Sequence, residues 1–304
     1  MRVDFYKLVM ALMPQALRNK LIKIDERFLT VTTDSDHLIE LSNPLYSGFQ
    51  MLVNPKYRIE YLIAAKGIYD PKMVNMIHRL VGHSDVVFDV GANCGSMTLP
   101  LVSRLGELGI IVAMEPGPLL FSRLSNNIDL NKSRIKAQCH LLNIGLAEKE
   151  GAMYWEMDTG PNYGNASIVD YHTDLKVDVS TLSSVVKALQ LNKIDFIKID
   201  VEGMEWKILN SSVDLLTKFT PTVLFESWVS EDGSNCATKY CFDLLEKLGY
   251  KFFEPSEGEA HLCAVRKKYE LLEVAYPKCP QNTLAIHSAK IQKLIARLEQ
   301  SFDR

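Results

Sequence analysis

The sequence predicts an α/β fold, in which a mostly parallel sheet carries helices on both faces. Three observations support this prediction. From Ser84 onward, short apolar runs rich in β-branched residues alternate with helical patterns. A glycine-rich turn follows the first of these runs, and the last two runs are joined by a loop too short for a parallel crossover. With 47% hydrophobic and 23% charged residues, the 304-residue chain has the composition of a folded globular protein.

The predicted strands are continuous apolar runs, as expected of strands buried on both faces of a parallel sheet. They span residues 85–90, 110–114, 137–143, 194–199, 222–225, 250–254 and 261–265. The predicted helices that separate them span residues 96–108, 118–130, 182–191, 205–209, 212–219 and 237–248. The short loop around Gly258 predicts that the last two strands form an antiparallel pair.

The texture of the sequence divides the chain into three regions. Residues 1–83 are predicted to be mainly helical, with helices over 57–66 and 71–80 and a short strand-like stretch at 29–32. Residues 84–268 form the α/β domain, and residues 269–304 form a helical tail. The tail carries an apolar stripe at helical spacing, which consists of Ile291, Leu294, Ile295 and Leu298. This stripe must be buried either on the chain's own core or in a homodimer seam, and the sequence leaves both open.

Composition and charge argue against several classes of function. Lysine and arginine total 34 against 37 acidic residues, so no basic excess exists to drive nucleic-acid binding. The six cysteines form neither a CxxC pair nor a zinc-binding pattern. No run of about 18 apolar residues is free of charge, and Asp4 and Lys7 interrupt the start of the chain. We therefore expect no transmembrane segment, no signal peptide and a cytoplasmic location.

The first motif is a glycine loop, Asp89 to Gly95, at the turn from the first strand to the next helix. Gly91 and Gly95 stand four residues apart, so the loop is not the G-x-G-x-x-G dinucleotide fingerprint. Glycines let the backbone approach a ligand closely, and we expect a side chain at Gly91 to occupy ligand space. Asp89 would be free to accept from an ammonium or hydroxyl group, with Ala92 and Asn93 completing the loop. An ordinary strand–helix turn is the alternative interpretation.

The second motif is Glu115, which follows the second strand directly and precedes Pro116. A carboxylate at this point can accept both hydroxyls of a ribose, and its distance from the glycine loop is near the ~20 residues typical of a ribose-binding acid. The alternative is a solvated acid at a strand end. Asn143 ends the third strand and can either contact the base of such a ligand or cap a turn.

The third motif, Lys198, Asp200 and Glu202, lies at the end of the strand predicted over 194–199. Alternation along an extended chain places these three side chains on one face. Charged groups at the buried end of a strand are costly unless they are paired or used, and ligands of open α/β sheets bind at that end. The alternative is a lysine–acid pair that caps the following helix, with Glu205 in its first turn.

Together, these motifs resemble the FkbM-type methyltransferases, which depend on S-adenosylmethionine. That family carries Asp-x-Gly-Ala-Asn-x-Gly, matched by Asp89 to Gly95, and a Glu-Pro after the second strand, matched by Glu115-Pro116. It also carries Ile-Lys-Ile-Asp-x-Glu-Gly-x-Glu, matched from Ile197 to Glu205. The resemblance covers about residues 60–267. It leaves the role of residues 1–59 and of the tail open.

The resemblance implies a class I methyltransferase fold, which is a Rossmann-like, seven-stranded, mostly parallel sheet with one antiparallel strand. It implies methyl transfer from S-adenosylmethionine to a hydroxyl of a sugar, glycan or secondary metabolite. Asp89, Gly91, Ala92, Asn93, Gly95, Glu115 and Asn143 would bind the cofactor. Two other classes of function stay open, a nicotinamide-dependent oxidoreductase on a similar sheet and an inactive binding or assembly module.

We expect Asp200 to act as the general base, assisted by Glu202 and by the positive charge of Lys198. In the alternative, Asp200 and Glu202 ligate a divalent ion such as Mg²⁺, with Glu226 as a third ligand. We expect the reaction to need no metal, because Lys198 already supplies positive charge.

The acceptor side of the site is expected to include four further residues, which are Asn165, His172, Glu226 and Trp228. Residues 159–167 have the composition of a lid over an active site, and a polar surface loop is the alternative. Glu226 and Trp228 follow the strand predicted over 222–225 and are expected to line the acceptor pocket.

Overall fold

The structure is a computed structural model that describes residues 36–41, 48–157, 166–227, 236–255, 271–273 and 281–300. The strands are β1 (His37–Glu40), β2 (Gln50–Val53), β3 (Val86–Val90), β4 (Ile110–Met114), β5 (Gln138–Leu142), β6 (Gly145–Leu146), β7 (Gly151–Met157), β8 (Ala166–Val169), β9 (Leu175–Ser180), β10 (Phe196–Ile199), β11 (Thr222–Ser227), β12 (Tyr250–Pro255), β13 (Leu271–Glu273) and β14 (Gln281–His287). The helices are α1 (Arg58–Lys66), α2 (Pro71–Leu80), α3 (Thr98–Arg104), α4 (Pro118–Leu130), α5 (Leu182–Ala188), α6 (Glu205–Asn210), α7 (Val213–Phe219), α8 (Cys236–Lys247) and α9 (Ile291–Gln300). Three sequence predictions, the strands at 29–32 and 261–265 and the lid up to residue 165, lie outside the described residues.

Several helices begin where local chemistry favours a start. Asp70 precedes α2, and its Oδ1 accepts from the Met73 amide at 3.1 Å, while Pro71 occupies the first turn. Pro118 likewise opens α4. The Thr181 hydroxyl caps α5 by accepting from the Ser184 amide at 3.1 Å. These starts follow from side chains that the sequence alone displays.

The main sheet has the strand order β13-β12-β14-β11-β10-β3-β4-β5. Strands β11, β10, β3, β4 and β5 are parallel to one another, and β14 is antiparallel to both β11 and β12. Strand β13 adds a short antiparallel edge beside β12. The mostly parallel seven-stranded fold class is confirmed: six of the predicted strands are present, the antiparallel strand is β14, and β13 is one further edge strand.

The core lies on both faces of this sheet, because alternate residues of each strand point to opposite sides. In β3, Val87 packs with α2, α3 and α4 on one face, whereas Phe88 and Val90 pack with α5 and α8 on the other. This double burial explains why the sequence shows continuous apolar runs here. Among the helices of the described ranges, none combines the length and apolarity that crossing a bilayer requires.

A second sheet of four strands, in the order β6-β9-β7-β8, is inserted between β5 and α5. The sequence analysis predicted no strand in this part of the chain. Its anchor is Trp155, which is 6% exposed and packs with Leu120 of α4 and Val177 of β9. A Cβ atom on Gly117 would lie 2.3 Å from the Trp155 ring, so the absence of a side chain at Gly117 allows this sheet to dock.

The C-terminal region differs from the predicted helical tail. The strand β14 lies inside residues 269–304 and is antiparallel to both of its neighbours in the main sheet, and among the described residues of this region only Ile291–Gln300 forms an α-helix. Within α9, Ile291 and Leu294 pack on the chain's own core beside α2, whereas Ile295 is 38% exposed. A homodimer stays a prediction, although two of the stripe residues are already covered by this chain.

Candidate active site at the carboxyl ends of the central strands

A cavity of about 240 Å³ opens at the carboxyl ends of β3, β4, β10 and β11. Its walls come from the glycine loop after β3, from Glu115 after β4 and from the charged residues around the end of β10. Further walls come from α1, α2 and the inserted sheet. In open α/β sheets this edge holds the ligand crevice, so the cavity is the candidate active site.

The glycine loop adopts left-handed backbone at Gly91, Asn93 and Gly95, whose φ angles are 77°, 51° and 92°. A Cβ atom on Gly91 would lie 1.9 Å from the carbonyl oxygen of Asp200. The expectation that a side chain at this position would first meet the ligand is therefore corrected. The first obstacle is the backbone after β10, because the ends of β3 and β10 are adjacent in the sheet.

Among the described residues of this loop, Gly91 and Asn93 line the cavity, whereas Asp89, Ala92 and Gly95 do not. Asp89 is fully buried, its Oδ2 accepts from the Thr98 hydroxyl at 2.6 Å, and its Oδ1 lies 3.3 Å from Lys198 Nζ. The prediction that Asp89 is free to accept from a ligand is therefore corrected. Its carboxylate holds the loop and β10 together.

Glu115 lines the cavity with a buried carboxylate that is only 3% exposed. Its Oε2 accepts from the Asn93 amide at 2.9 Å, and its Oε1 accepts from the Gly117 amide at 2.8 Å. Burial raises the pKa of Glu115 to about 7, although these two amides oppose the shift. The carboxylate therefore joins the glycine loop to the start of α4 and keeps lone pairs for hydroxyl donors.

Asn143 lies outside the cavity lining in the part of the chain that the structure describes. Its Nδ2 donates to the carbonyl oxygens of Glu115 at 2.8 Å and Pro116 at 2.9 Å. Of the two roles left open by the sequence, the structure places Asn143 in the turn, where it fixes the backbone that carries Glu115.

Replacing Glu115 by alanine is expected to weaken binding of S-adenosylhomocysteine at least tenfold. Charge-assisted hydrogen bonds to ribose are worth about 1.5–3 kcal/mol each, and the variant also frees the two amides that Glu115 holds. Isothermal titration calorimetry measures the effect, with Glu148→Ala as a control because Glu148 is an exposed acid of the same region. Equal dissociation constants for Glu115→Ala and the unaltered chain would reduce Glu115 to a structural acid.

Lys198 is buried at the end of β10 and connects three groups. Its Nζ donates to the Gly91 carbonyl at 2.8 Å and lies 3.3 Å from Asp89 Oδ1 and 3.4 Å from Asp200 Oδ2. Burial lowers the pKa of Lys198, but the carboxylates of Asp89 and Asp200 outweigh burial and hold the pKa above its ordinary value. A permanent ammonium therefore joins the ends of β3 and β10.

Lys198, Asp200 and Glu202 all line the cavity, so the structure brings the three predicted catalytic residues together. Glu202 is exposed and sits in left-handed backbone with φ 54°. The loop around it is held by Glu205, whose carboxylate accepts from the Val201 amide at 3.1 Å and the Gly203 amide at 3.0 Å. The alternative interpretation of a helix-capping acid thus applies to Glu205.

Glu226 lines the acceptor side of the cavity from β11, opposite Asn282 of β14. Burial, followed by the nearby carboxylates of Asp200 and Glu202, raises the pKa of Glu226 to about 7. The sequence analysis missed Asn282, because the register between β11 and β14 places it in the site. The only local pattern that could have indicated this strand is the apolar run from Leu284 to Ile286.

The N-terminal region forms one wall of the cavity, which no sequence motif predicted. Arg58 and Leu62 of α1 line the cavity, as does Tyr69 from the connection to α2. Burial, followed by the charge of Asp200, raises the pKa of Tyr69 to about 12. Helix α1 is held in place by its buried Glu60, which accepts from Arg123 of α4 through both Nε, at 2.6 Å, and Nη2.

Of the remaining predicted substrate residues, the structure describes only His172, which does not line the cavity. His172 is exposed, and its ring centroid lies 4.9 Å from that of Tyr154 on the inserted sheet. Asn165 and Trp228 lie outside the described residues, whereas Ser167 at the end of the predicted lid does line the cavity. Across the described ranges, no three His, Cys, Asp or Glu side chains form a group able to hold a metal ion.

The raised pKa of Glu226 predicts a pH dependence of stability. From about 4.5 up to about 7 the folded chain retains the Glu226 proton that the unfolded chain releases, so the free energy of unfolding falls as pH rises through this window. Glu226→Gln cannot ionise, and its thermal midpoint should fall less between about pH 5 and pH 7.5. Other groups titrate in both proteins, so the difference isolates Glu226. Identical slopes would contradict the assignment.

Comparison with known proteins identifies the family. Residues 89–252, just over half of the chain, match the methyltransferase FkbM domain. Methyltransferase 1 of Beauveria bassiana is 26% identical over 188 residues, which cover 56% of this chain and 74% of that protein. The hexuronic acid methyltransferase AglP of Haloferax volcanii is 27% identical over 146 residues, which cover 47% of this chain and 56% of that protein.

Among solved structures, the methyltransferase FkbM of Methylobacillus flagellatus is similar to this chain, with a TM-score of 0.43 and 15% identity. The match covers 68% of this chain and 44% of that one, so the chain spans less than half the length of this neighbour. The fold assignment rests instead on the strand order and on the antiparallel β14. With this sheet and with a family match over the glycine loop, Glu115 and the end of β10, the chain belongs to the FkbM methyltransferases, a family of S-adenosylmethionine-dependent enzymes with the class I fold.

Proposed function

We propose that this chain transfers the methyl group of S-adenosylmethionine to a hydroxyl group of a sugar, glycan or secondary metabolite. The observation that carries the proposal is that Glu115 and the glycine loop line the same cavity as the carboxylates of Asp200, Glu202 and Glu226. The first set has the chemistry to hold a nucleoside, and the second has the chemistry to accept a proton. The relation to the hexuronic acid methyltransferase AglP supports a sugar as the acceptor class.

The residues present fit the cofactor. Glu115 presents a buried carboxylate to the cavity beside Gly91 and Asn93, and a carboxylate can accept from both hydroxyls of a ribose. When bound, the cofactor supplies an electrophilic methyl group on a sulfonium. Trp155 and Met114 contribute apolar surface to the same cavity, suited to the uncharged part of a nucleoside.

On the acceptor side, Asp200 serves as the general base that removes the hydroxyl proton. Lys198 forms a 3.4 Å ion pair with Asp200, and this pair fixes the position of the Asp200 carboxylate. Glu202 and Glu226 surround it and provide hydrogen-bond acceptors for further hydroxyls of the substrate. Coordination of a divalent ion by Asp200, Glu202 and Glu226 is the alternative, and it predicts activity that EDTA removes and Mg²⁺ restores.

Calorimetric titration with S-adenosylmethionine, S-adenosylhomocysteine and NAD tests the cofactor assignment. We expect both sulfur compounds to bind and NAD not to bind. Binding of NAD would favour a nicotinamide-dependent oxidoreductase, and binding of none of the three would favour an inactive module. The acceptor is then sought by incubating the protein and methyl-labelled cofactor with cell extract and identifying labelled products by mass spectrometry, with hydroxyl methylation as the expected outcome.

A further inference from the structure

Asn127, a fully buried residue of α4, contacts the glycine loop and is not among the described residues that line the cavity. Its Nδ2 donates to the carbonyl oxygen of Cys94 at 2.8 Å. Its Oδ1 accepts from the Leu52 amide at 2.8 Å, and its Nδ2 lies 3.4 Å from the Leu52 carbonyl oxygen. One side-chain amide therefore joins the loop after β3 to the N-terminal strand β2.

Asn131, one helical turn later, also bonds the backbone of β2. Its Oδ1 accepts from the Gln50 amide at 2.8 Å, and its Nδ2 donates to the Gln50 carbonyl oxygen at 2.7 Å. Four residues of a helix rise about 6 Å, and two residues of a strand rise about 6.6 Å, so the two asparagines match alternate residues of β2. Of the pair, only Asn127 contacts the glycine loop, as far as the described residues extend.

The loop needs an external partner at this point. Cys94 lies between Asn93 and Gly95, which both have left-handed backbone, and its side chain is fully buried. A non-glycine residue in this conformation, such as Asn93, persists only where the surroundings fix it. Glu115 accepts from the Asn93 amide, and Asn127 donates to the carbonyl oxygen of the next residue, Cys94. Loss of Asn127 would leave a buried carbonyl without its donor.

We propose that Asn127 is a positioning residue for the cofactor, which acts through the glycine loop and holds it in register with the N-terminal wall of the site. The proposal rests on the proposed function, in which Gly91 and Asn93 contact S-adenosylmethionine. Strand β2 leads directly into α1, which lines the cavity through Arg58 and Leu62. Asn127 thereby fixes two walls of one cavity relative to each other.

The test compares Asn127→Ala with Asn131→Ala. Both variants remove a buried amide that bonds β2, so both should lower the thermal midpoint by similar amounts. Only Asn127→Ala should also raise the dissociation constant of S-adenosylhomocysteine, by about tenfold, because one buried hydrogen bond to the loop is lost. Calorimetry is carried out well below both midpoints. A constant for Asn127→Ala equal to that of Asn131→Ala would overturn the proposal.

Asn127→Asp provides a second measurement if the alanine variant does not fold. It retains an acceptor for the Leu52 amide but sets a carboxylate oxygen against the Cys94 carbonyl. We expect weakened S-adenosylhomocysteine binding here too, and binding as tight as that of the unaltered chain would refute the role. If the unaltered chain does not bind S-adenosylhomocysteine, the proposed function itself is wrong. If the unaltered chain binds and the Asn127 variants bind equally well, only the role of Asn127 is wrong.

Discussion

Asp200→Asn is expected to lower methyl transfer roughly 10²–10⁴-fold while binding of S-adenosylhomocysteine stays nearly unchanged. The substitution keeps the shape of the side chain and removes the basicity that deprotonates the acceptor. Asp200 lines the cavity, and its side chain is 41% exposed, so an amide can occupy the same place. Transfer is measured as label passed from methyl-labelled cofactor to the acceptor fraction of an extract, and binding is measured by calorimetry.

Glu226→Gln serves as the comparison, because Glu226 is a carboxyl on the acceptor side of the cavity and its raised pKa, about 7, suits proton transfer near neutral pH. We expect Glu226→Gln to lower transfer less than Asp200→Asn. The reverse order would move the base from Asp200 to Glu226. Activity of the unaltered chain that is lost in EDTA and restored by Mg²⁺ would replace the base with a metal ion.

Gly91→Ala is expected to weaken cofactor binding by about a hundredfold or more, although the sheet still folds. At φ 77° a side chain is strained, and its Cβ atom would lie 1.9 Å from the Asp200 carbonyl oxygen, so the ends of β3 and β10 must separate. A shift of this kind also displaces Asp200 and the bond from Lys198 to the Gly91 carbonyl. Transfer should therefore stay low even at saturating cofactor.

Gly151→Ala is the matched control for this substitution. Gly151 also has a positive φ, 152°, but a Cβ atom there meets nothing within 4 Å. It begins β7 in the inserted sheet and is not part of the cavity lining within the described residues. Circular dichroism should show both variants folded, and only Gly91→Ala should lose binding. Normal cofactor binding by Gly91→Ala would contradict the assignment of the glycine loop to the cofactor site.

The sequence was sufficient to predict the parallel strands of the main sheet and the helices between them. Strand β4 and helices α2 and α4 have the predicted bounds, and β3 and β10 begin within two residues of theirs. The reason is local: strands buried on both faces must be continuously apolar, and capping residues such as Asp70 mark where helices begin. The predicted antiparallel strand at 261–265 lies outside the described residues. The antiparallel strand of the described sheet is β14, which the sequence did not reveal because it pairs with β11 across a long separation along the chain.

The candidate site was also predictable only in part. The sequence placed Glu115, Lys198 and Asp200 at strand ends, and parallel strands bring their carboxyl ends to one edge. The sequence could not show that Asp89 forms an ion pair with Lys198, because that pairing depends on the register between β3 and β10. The same limit applies to Asn282, which only the β11–β14 register brings to the cavity.

By itself, the sequence determined where the parallel strands lie along the chain, the three motifs at their ends and the family, since each depends on residues close together in the chain. The tertiary structure alone decided which residues surround the motifs. Tyr69 and Trp155 reach the cavity, and Asn127 reaches the glycine loop, from segments separated along the chain. Such contacts form when distant surfaces exclude water together, and no local pattern of residues records which surfaces will meet.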